Sequence, residues 1–354
     1  MDAIPLAVEH TKQQLFARFR LGQWTRLAFV GLLAGELGSG GGCNFNPWKF
    51  GHQPHGGNFP DVSVGPMLVA LGAALAVLVL AGLAVGVILM YVSSVMRFIL
   101  FDSVLAKECH IRLGWSRRQG PGARLFLWKL VFGLATFAGF VVLGGIPAAF
   151  ALKAGWFASP KEHIAPLVLG GVLLFFVIAV LVVIVSVVYV LTKDFVVPQM
   201  ALENISAFEA WRRLWSMMEA ETGSYAGYIG MKILLAIGAG IVIGTVTLIL
   251  GLLIAIPAVG LGIIAVMTGQ SAGLTWNAGT ITLAIVVGGV LLSAFFYVVS
   301  LISVPAMVFF PAYSIYFFAG RYAPLQAVLY PRPAGETIPT PGLPPLPPAP
   351  EPLG

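Results

Sequence analysis

Long uncharged apolar stretches dominate the chain, and short charged, amphipathic segments punctuate them. Val62–Met96, Leu130–Leu152, His163–Thr192 and Ile233–Gly320 contain no Asp, Glu, Lys or Arg. A helix needs about 20 apolar residues to span the hydrocarbon of a bilayer. Each of the first three stretches holds one span, and the last has room for two. The expected spans are residues 64–93, 126–152, 165–191, 227–251 and 279–303. A sixth and shorter candidate, 24–37, carries Arg26 and Glu36. The expected fold class is therefore all-α. It is a polytopic helical membrane bundle of six spans, with cytoplasm-side amphipathic helices and a three-fold internal repeat.

One cappable segment, Lys193–Trp215 (KDFVVPQMALENISAFEAWRRLW), separates two of the long runs. Pro198 removes a backbone donor, so it should bend or end the helix before it. Ser206 followed by Glu209 has the form of a capping box, which starts a new helix near Ala207. Phe208, Trp211, Trp215 and Met218 recur at helical spacing and line one face, with Glu209, Arg212, Arg213 and Ser216 on the others. Thr222-Gly223 reads as the stop. This helix is too short to cross a bilayer. Two Trp beside a pair of Arg suit the headgroup boundary; the competing assignment is a helix packed on the protein's own end.

The same plan recurs along the chain. Glu108 with Arg117 and Arg118 matches Glu203 with Arg212 and Arg213 at an offset of 95 residues. Val197-Pro198-Gln199-Met200 is echoed by Val304-Pro305-Ala306-Met307 at an offset of 107. The chain thus reads as three units of membrane helix, elbow and cytoplasm-side piece, the pieces lying at 97–118, 198–218 and 305–322. Gly82/Gly86, Gly240/Gly244, Gly170-Gly171 and Gly288-Gly289 place small residues on the spans, a pattern that lets helices approach closely in a tight bundle or a dimer.

Composition agrees with the class: 58% of residues are hydrophobic and 10% charged, with a mean hydropathy of +0.94. No soluble domain of this size needs that composition. Charge placement then sets orientation. Seventeen of the 20 Lys and Arg sort to one side, leaving Lys49, Lys153 and Lys161 for the other. The positive-inside rule makes the larger group cytoplasmic. For both the N-terminal basic segment and 97–124 to lie inside, the chain must cross within 24–37. Both termini are then cytoplasmic and Glu36 sits at the outer boundary. The other arrangement is a re-entrant or surface-lying first segment with the N-terminus outside. The net charge of +6 reflects this topology and attraction to anionic lipid rather than to nucleic acid.

The expected divisions are an amphipathic N-terminal segment (1–22), the transmembrane domain (23–330) and a disordered Pro-rich tail (331–354) with PxxP spacing. The N-terminal segment is too long and polar for a cleaved signal peptide. Cys43 and Cys109 fall on opposite sides and cannot bridge within one chain. The GSGGG stretch lacks the Lys-Ser/Thr of a phosphate-cradling loop. Cys43, His52 and His55 read as solvated loop residues rather than a metal site. No carboxylate pair, His-Asp relay or metal-ligand cluster is evident, so no catalytic, cofactor-binding or metal-binding residue is assigned. Thr136, Ser186, Thr245, Thr247, Ser293, Tyr297 and Ser300 are the neutral polar groups within the spans.

TKQQLFARFRLGQW, the GGG loop and VVPQMALENISAFEAWRRLW resemble an uncharacterised family of multi-spanning bacterial membrane proteins. Those proteins are similar to the membrane domain attached to some glycerophosphodiester phosphodiesterases. The resemblance covers residues 1–330 and implies a helical fold in the bacterial inner membrane. It implies no catalytic residue, because the soluble phosphodiesterase barrel is missing. The leading expectation is a non-enzymatic accessory or scaffold module that binds anionic lipid, a partner protein or a second copy. Arg117, Arg118, Trp211, Arg212, Arg213 and Trp215 form its candidate headgroup interface. A transporter or permease for a small or amphipathic solute is the alternative.

Overall fold

The structure is a computed structural model that describes residues 3–17, 20–36, 64–156, 163–271 and 278–331. Among the described residues it is all helical. In chain order the helices are α1 (Ala3–Leu15), α2 (Leu21–Leu33), α3 (Val64–Ala106), α4 (Ile111–Lys153), α5 (Ile164–Leu191), α6 (Val197–Glu203), α7 (Ala207–Ala220), α8 (Thr222–Ser271), α9 (Ala278–Ala319) and α10 (Ala323–Leu329). A π-helical turn, Thr192–Val196, joins α5 to α6 without a break. The GSGGG loop, Cys43, His52, His55 and most of the Pro-rich tail lie outside the described residues.

Five helices are long and apolar enough to cross a membrane: α3, α4, α5 with its continuation, α8 and α9. They contain the five long spans expected from hydropathy. Each runs on past the hydrocarbon thickness. At 1.5 Å per residue, the 43 residues of α3 cover about 65 Å, twice what a bilayer core of about 30 Å requires. The apolar lengths are exposed, from Leu75 to Leu89 on α3 and from Ile233 onward on α8. An apolar surface that extensive is suited to lipid rather than water.

Packing concentrates where the long helices extend beyond those lengths. Phe98, Ile99, Leu100 and Val104 of α3, Leu125 of α4, Phe195 and Met200 of the α5–α6 junction, Leu214 of α7, Tyr225 and Tyr228 of α8, and Val304, Val308 and Phe318 of α9 form one buried core. We call this the head. Helices α1 and α2 cover α9, and α2 also packs on α3. Among the described residues, the span glycines singled out by their spacing do not approach a neighbouring helix closely. Gly82, Gly86, Gly244 and Gly288 have nothing within 4 Å of where a Cβ would sit. The close approaches are in the head instead: Gly31 meets Met307, and Gly122 meets Val95.

Two readings are corrected by the geometry. The helix over 24–37 is only 13 residues long, Leu21–Leu33, or about 20 Å, and it is not among the five. Gln23 near its start donates to the Lys107 carbonyl (2.9 Å), and Glu36 just past its end pairs with Arg97. Both ends of α2 therefore lie against the last turns of α3. Glu36 accordingly shares a membrane level with Arg97 and Lys193 instead of facing them across the bilayer. Pro198, for its part, does not end the helix before it. It sits in the first turn of α6, where a missing donor costs little. The π turn ahead of it widens the helix and reassigns the backbone bonds that Pro198 interrupts.

The turn into α7 follows the sequence closely. Asn204 ends α6 in the left-handed region, at φ 56°, a conformation Asn tolerates better than most residues. The Ser206 hydroxyl then accepts from the Glu209 amide at 3.2 Å. The reciprocal half of the box is diverted: the Glu209 carboxylate pairs with Arg212 and Arg213.

Helix α1 is held through His10. Its Nε2 lies 2.9 Å from the Val104 carbonyl, which can only accept, so Nε2 carries the hydrogen. Nδ1, 3.0 Å from the Tyr316 hydroxyl, then accepts from it in the neutral ring. Burial lowers the His10 pKa, and the Lys107 charge adds to this. A folded-state pKa below the unfolded value stabilises docking above the unfolded value, about 6.5, and that stability is lost as pH falls through the folded pKa. Proteolysis of α1 should therefore accelerate as pH drops below about 6.5, and His10→Gln should flatten that dependence. An equally steep pH profile in His10→Gln would remove His10 as the cause.

Candidate functional site

The last turns of α5 and the π turn place Lys193 and Asp194 side by side, on a segment where hydropathy alone shows only the end of a span. Lys193 Nζ donates to one oxygen of Glu36, and Arg97 Nη1 donates to the other. Arg97 Nη2 donates to the Ala34 carbonyl. The three side chains are between 1 and 6% exposed. On the other side of the π turn, Asp194 accepts from Lys232 Nζ and from the Tyr228 hydroxyl, the latter at 2.9 Å. Aromatic rings enclose this second pair: Tyr228 stacks on Tyr313 at 5.1 Å and packs on Phe195 and Phe317. The widened turn matters because successive residues, Lys193 and Asp194, must face different partners. π turns of this kind recur at functional positions in helices.

A cavity of about 20 Å³ lies between the two groups, lined by Glu36, Arg97, Lys193, Asp194, Pro198 and Ser314 among others. That is room for about one water molecule. Charge placement along the sequence puts these lysines and arginines on the cytoplasmic side. It did not show that they meet. The legible signal was the adjacency of opposite charges, Lys193-Asp194, at the end of an uncharged run.

Other basic residues clamp the head from outside. Arg118 forms a two-point pair with Asp102, both bonds 2.7 Å, and donates to the Ala201 carbonyl at 2.8 Å. One guanidinium thus ties α3, α4 and α6. Arg124 donates to the Asn204 carbonyl at 2.7 Å. Arg213 pairs with Glu203 and Glu209, and Glu203 also accepts from the Tyr322 hydroxyl. Arg321 pairs with Glu221 at 2.7 Å. The two motifs matched at an offset of 95 are therefore not used alike. Arg213 does pair with Glu203, whereas Arg118 pairs with Asp102 and Glu108 lies beside His110.

The six interface candidates divide accordingly. Arg118 and Arg213 are committed to carboxylates within the head. Trp211 is half-buried and stacks on Trp128 of α4 at 6.0 Å, with its indole N–H unpartnered. Trp215 is 58% exposed, its N–H donating to Glu219 at 2.6 Å. Arg212 keeps 73% of its side chain exposed beside Glu209, whose carboxyl the Arg213 hydrogen bond holds below its usual range. Arg117 is exposed and lines a cavity of about 720 Å³ with His10, Asp102, Lys107, His110 and Tyr316. The expected single apolar face of α7 is in fact two. Ala207, Ala210 and Leu214 point into the head, with Trp211 and Met218 at its edge. Phe208, 77% exposed, and Trp215 point out. Residues seven apart share a face, so this outward aromatic pair is a continuous stripe with Arg212 next to it.

No curated protein and no solved structure matches the chain. Its sequence does match a family of unknown function over residues 1–328, a stretch that takes in every helix of the head and all five long apolar helices. The chain is thus an integral membrane protein of helical architecture and belongs to the family of unknown function DUF7544.

Proposed function

We propose that the protein is a non-enzymatic membrane module whose basic head lies at the cytoplasmic surface of the bacterial inner membrane and docks there on anionic lipid. The observation that carries this reading is the outward stripe of α7. Phe208 and Trp215, 77 and 58% exposed, flank Arg212, and the Trp128–Trp211 stack ties that helix to α4 where its apolar length begins. Aromatic rings beside a cation on a short helix suit the headgroup layer. Helix α1 packs on α9, as does α10, so both ends of the described chain share one end of the molecule. The excess of Lys and Arg at that end supports the cytoplasm as its side.

The transporter reading needs a continuous polar cavity between spans. The cavities of about 20 and 720 Å³ described above are lined by residues of the head and do not lie between spans. Each basic residue near an anionic surface contributes about 1 kcal/mol. Arg212→Gln should therefore reduce anionic lipid retained after gentle detergent extraction roughly five-fold, as read by native mass spectrometry. Arg213→Gln should instead lower thermal stability, because it unties Glu203. Unchanged lipid retention in Arg212→Gln would remove α7 from the interface.

A further inference from the structure

A separate cavity, of about 250 Å³, opens between the start of α1, the first turns of α8 and the end of α9. Gly223 and Gly227 lie one turn apart on α8 and put no side chain into it; a Cβ at either would meet nothing within 4 Å. Tyr313 and Phe317, one turn apart on α9, supply rings to the same cavity. A bare strip and an aromatic strip suit a planar group, because rings pack well in offset-stacked and edge-to-face arrangements. The wall is also electrically neutral. Among the described residues Arg321 is the one charged side chain in the lining. It is paired with Glu221 at 2.7 Å and lies 4.3 Å from the centre of the Phe317 ring. Tyr313 is only 5% exposed and lines the cavity, yet its hydroxyl has no hydrogen-bond partner among the described residues. The neighbouring Tyr228 hydroxyl, by contrast, is already bonded to Asp194. A buried donor left unmade is costly, so an occupant that fits carries an acceptor oxygen. The cavity leads to lipid as well. Gly223, Gly227, Met231 and Leu234 follow at helical spacing on one face of α8, and Leu234 is 63% exposed where the lipid-facing length begins.

We infer that this cavity binds the head of a neutral ring lipid with carbonyl oxygens, the chemistry of an isoprenoid quinone. The ring lies against Gly223 and Gly227 on one side and Tyr313 and Phe317 on the other. One carbonyl accepts from the Tyr313 hydroxyl, and the apolar tail follows α8 into the bilayer. A saturated acyl chain would fill the volume but leave that hydroxyl unbonded. No residue of α7 lines the cavity, so the site does not depend on anionic lipid docking there.

The test uses the full-length protein in nanodiscs of phosphatidylcholine, which carries no net charge and so gives the α7 face no anionic lipid to hold. Retention of a tritiated decyl-substituted benzoquinone is measured against empty discs. Retention should be saturable and stoichiometric, and decanol should not displace it. Tyr313→Phe, which removes only the hydroxyl, should weaken retention about five-fold, the effect of one hydrogen bond. Gly227→Leu fills the slot from an open helix face, so it should abolish retention and leave the unfolding midpoint close to wild type. Should that variant fail to fold, the comparison with Tyr313→Phe decides alone. No saturable retention above empty discs, or equal retention in wild type and Tyr313→Phe, would overturn the proposal. Displacement by decanol would overturn it too and mean that an acyl chain is the occupant.

Discussion

Glu36→Gln is expected to cost the protein roughly 3–5 kcal/mol, the usual price of removing one partner from a buried ion pair. The carboxylate is the only acceptor shared by Arg97 and Lys193 among the described residues, and its side chain is 1% exposed. Glutamine keeps the shape and removes the charge, leaving two adjacent cations facing a neutral amide. Thermal unfolding in detergent reads the loss directly. The effect should also be non-additive, as expected for residues in one network. Glu36→Gln with Lys193→Gln should be more stable than Glu36→Gln alone, because the second change removes the charge that the first one stranded. A loss below about 0.5 kcal/mol, the range of ordinary surface changes, would mean that Glu36 is hydrated rather than paired.

The second large effect is steric. A Cβ at Gly122 would lie 2.6 Å from Val95 Cγ2 and 3.1 Å from Val95 Cα. A side chain can rotate away, but a Cα cannot, so Gly122→Val must push α4 off α3. Overpacking of this kind typically costs about 1–3 kcal/mol, and here it strikes the most extensive helix contact in the head. Gly31→Ala is the control. Its nearest neighbour is the Met307 Sδ, the mobile end of an unbranched side chain that can repack. The unfolding midpoint should therefore fall substantially for Gly122→Val and little for Gly31→Ala. Equal losses at both would place the α3–α4 contact elsewhere.

What the sequence made legible is what periodicity and charge report. The five long apolar helices follow from runs free of charge, and the start of α7 follows from Ser206 and Glu209, because both signals are local. The boundaries of the long helices were legible only on their apolar side. Arg97 and Asp102 interrupt the hydropathy of α3 yet not its backbone, since each is neutralised by a partner from another helix. Helix α2 was misplaced for the same reason. By sequence alone Arg26 and Glu36 look like rim charges of a short span. Glu36 is instead a core residue, whose partners lie 61 and 157 positions away in the chain. No single-sequence pattern encodes a pairing at that distance. The face of α7 failed differently: Phe208, Trp211 and Trp215 share a helical stripe, but the helix buries its small residues, Ala207 and Ala210, and turns two of the three aromatics outward. Close packing of α7 on the head favours alanine, whereas an outward face at a membrane surface favours rings.

Everything about the head depends on Glu36 and Lys193 meeting on one side of the bilayer. The direct measurement is a short bismaleimide cross-link between Glu36→Cys and Lys193→Cys, with Cys43 and Cys109 replaced by Ser, in native membranes. A cross-linked product is expected, with neither single-cysteine protein forming it within the chain. Labelling of positions 36 and 193 by impermeant reagents added to opposite faces of the membrane, with no cross-link, would contradict a head assembled from α2, α3 and the π turn.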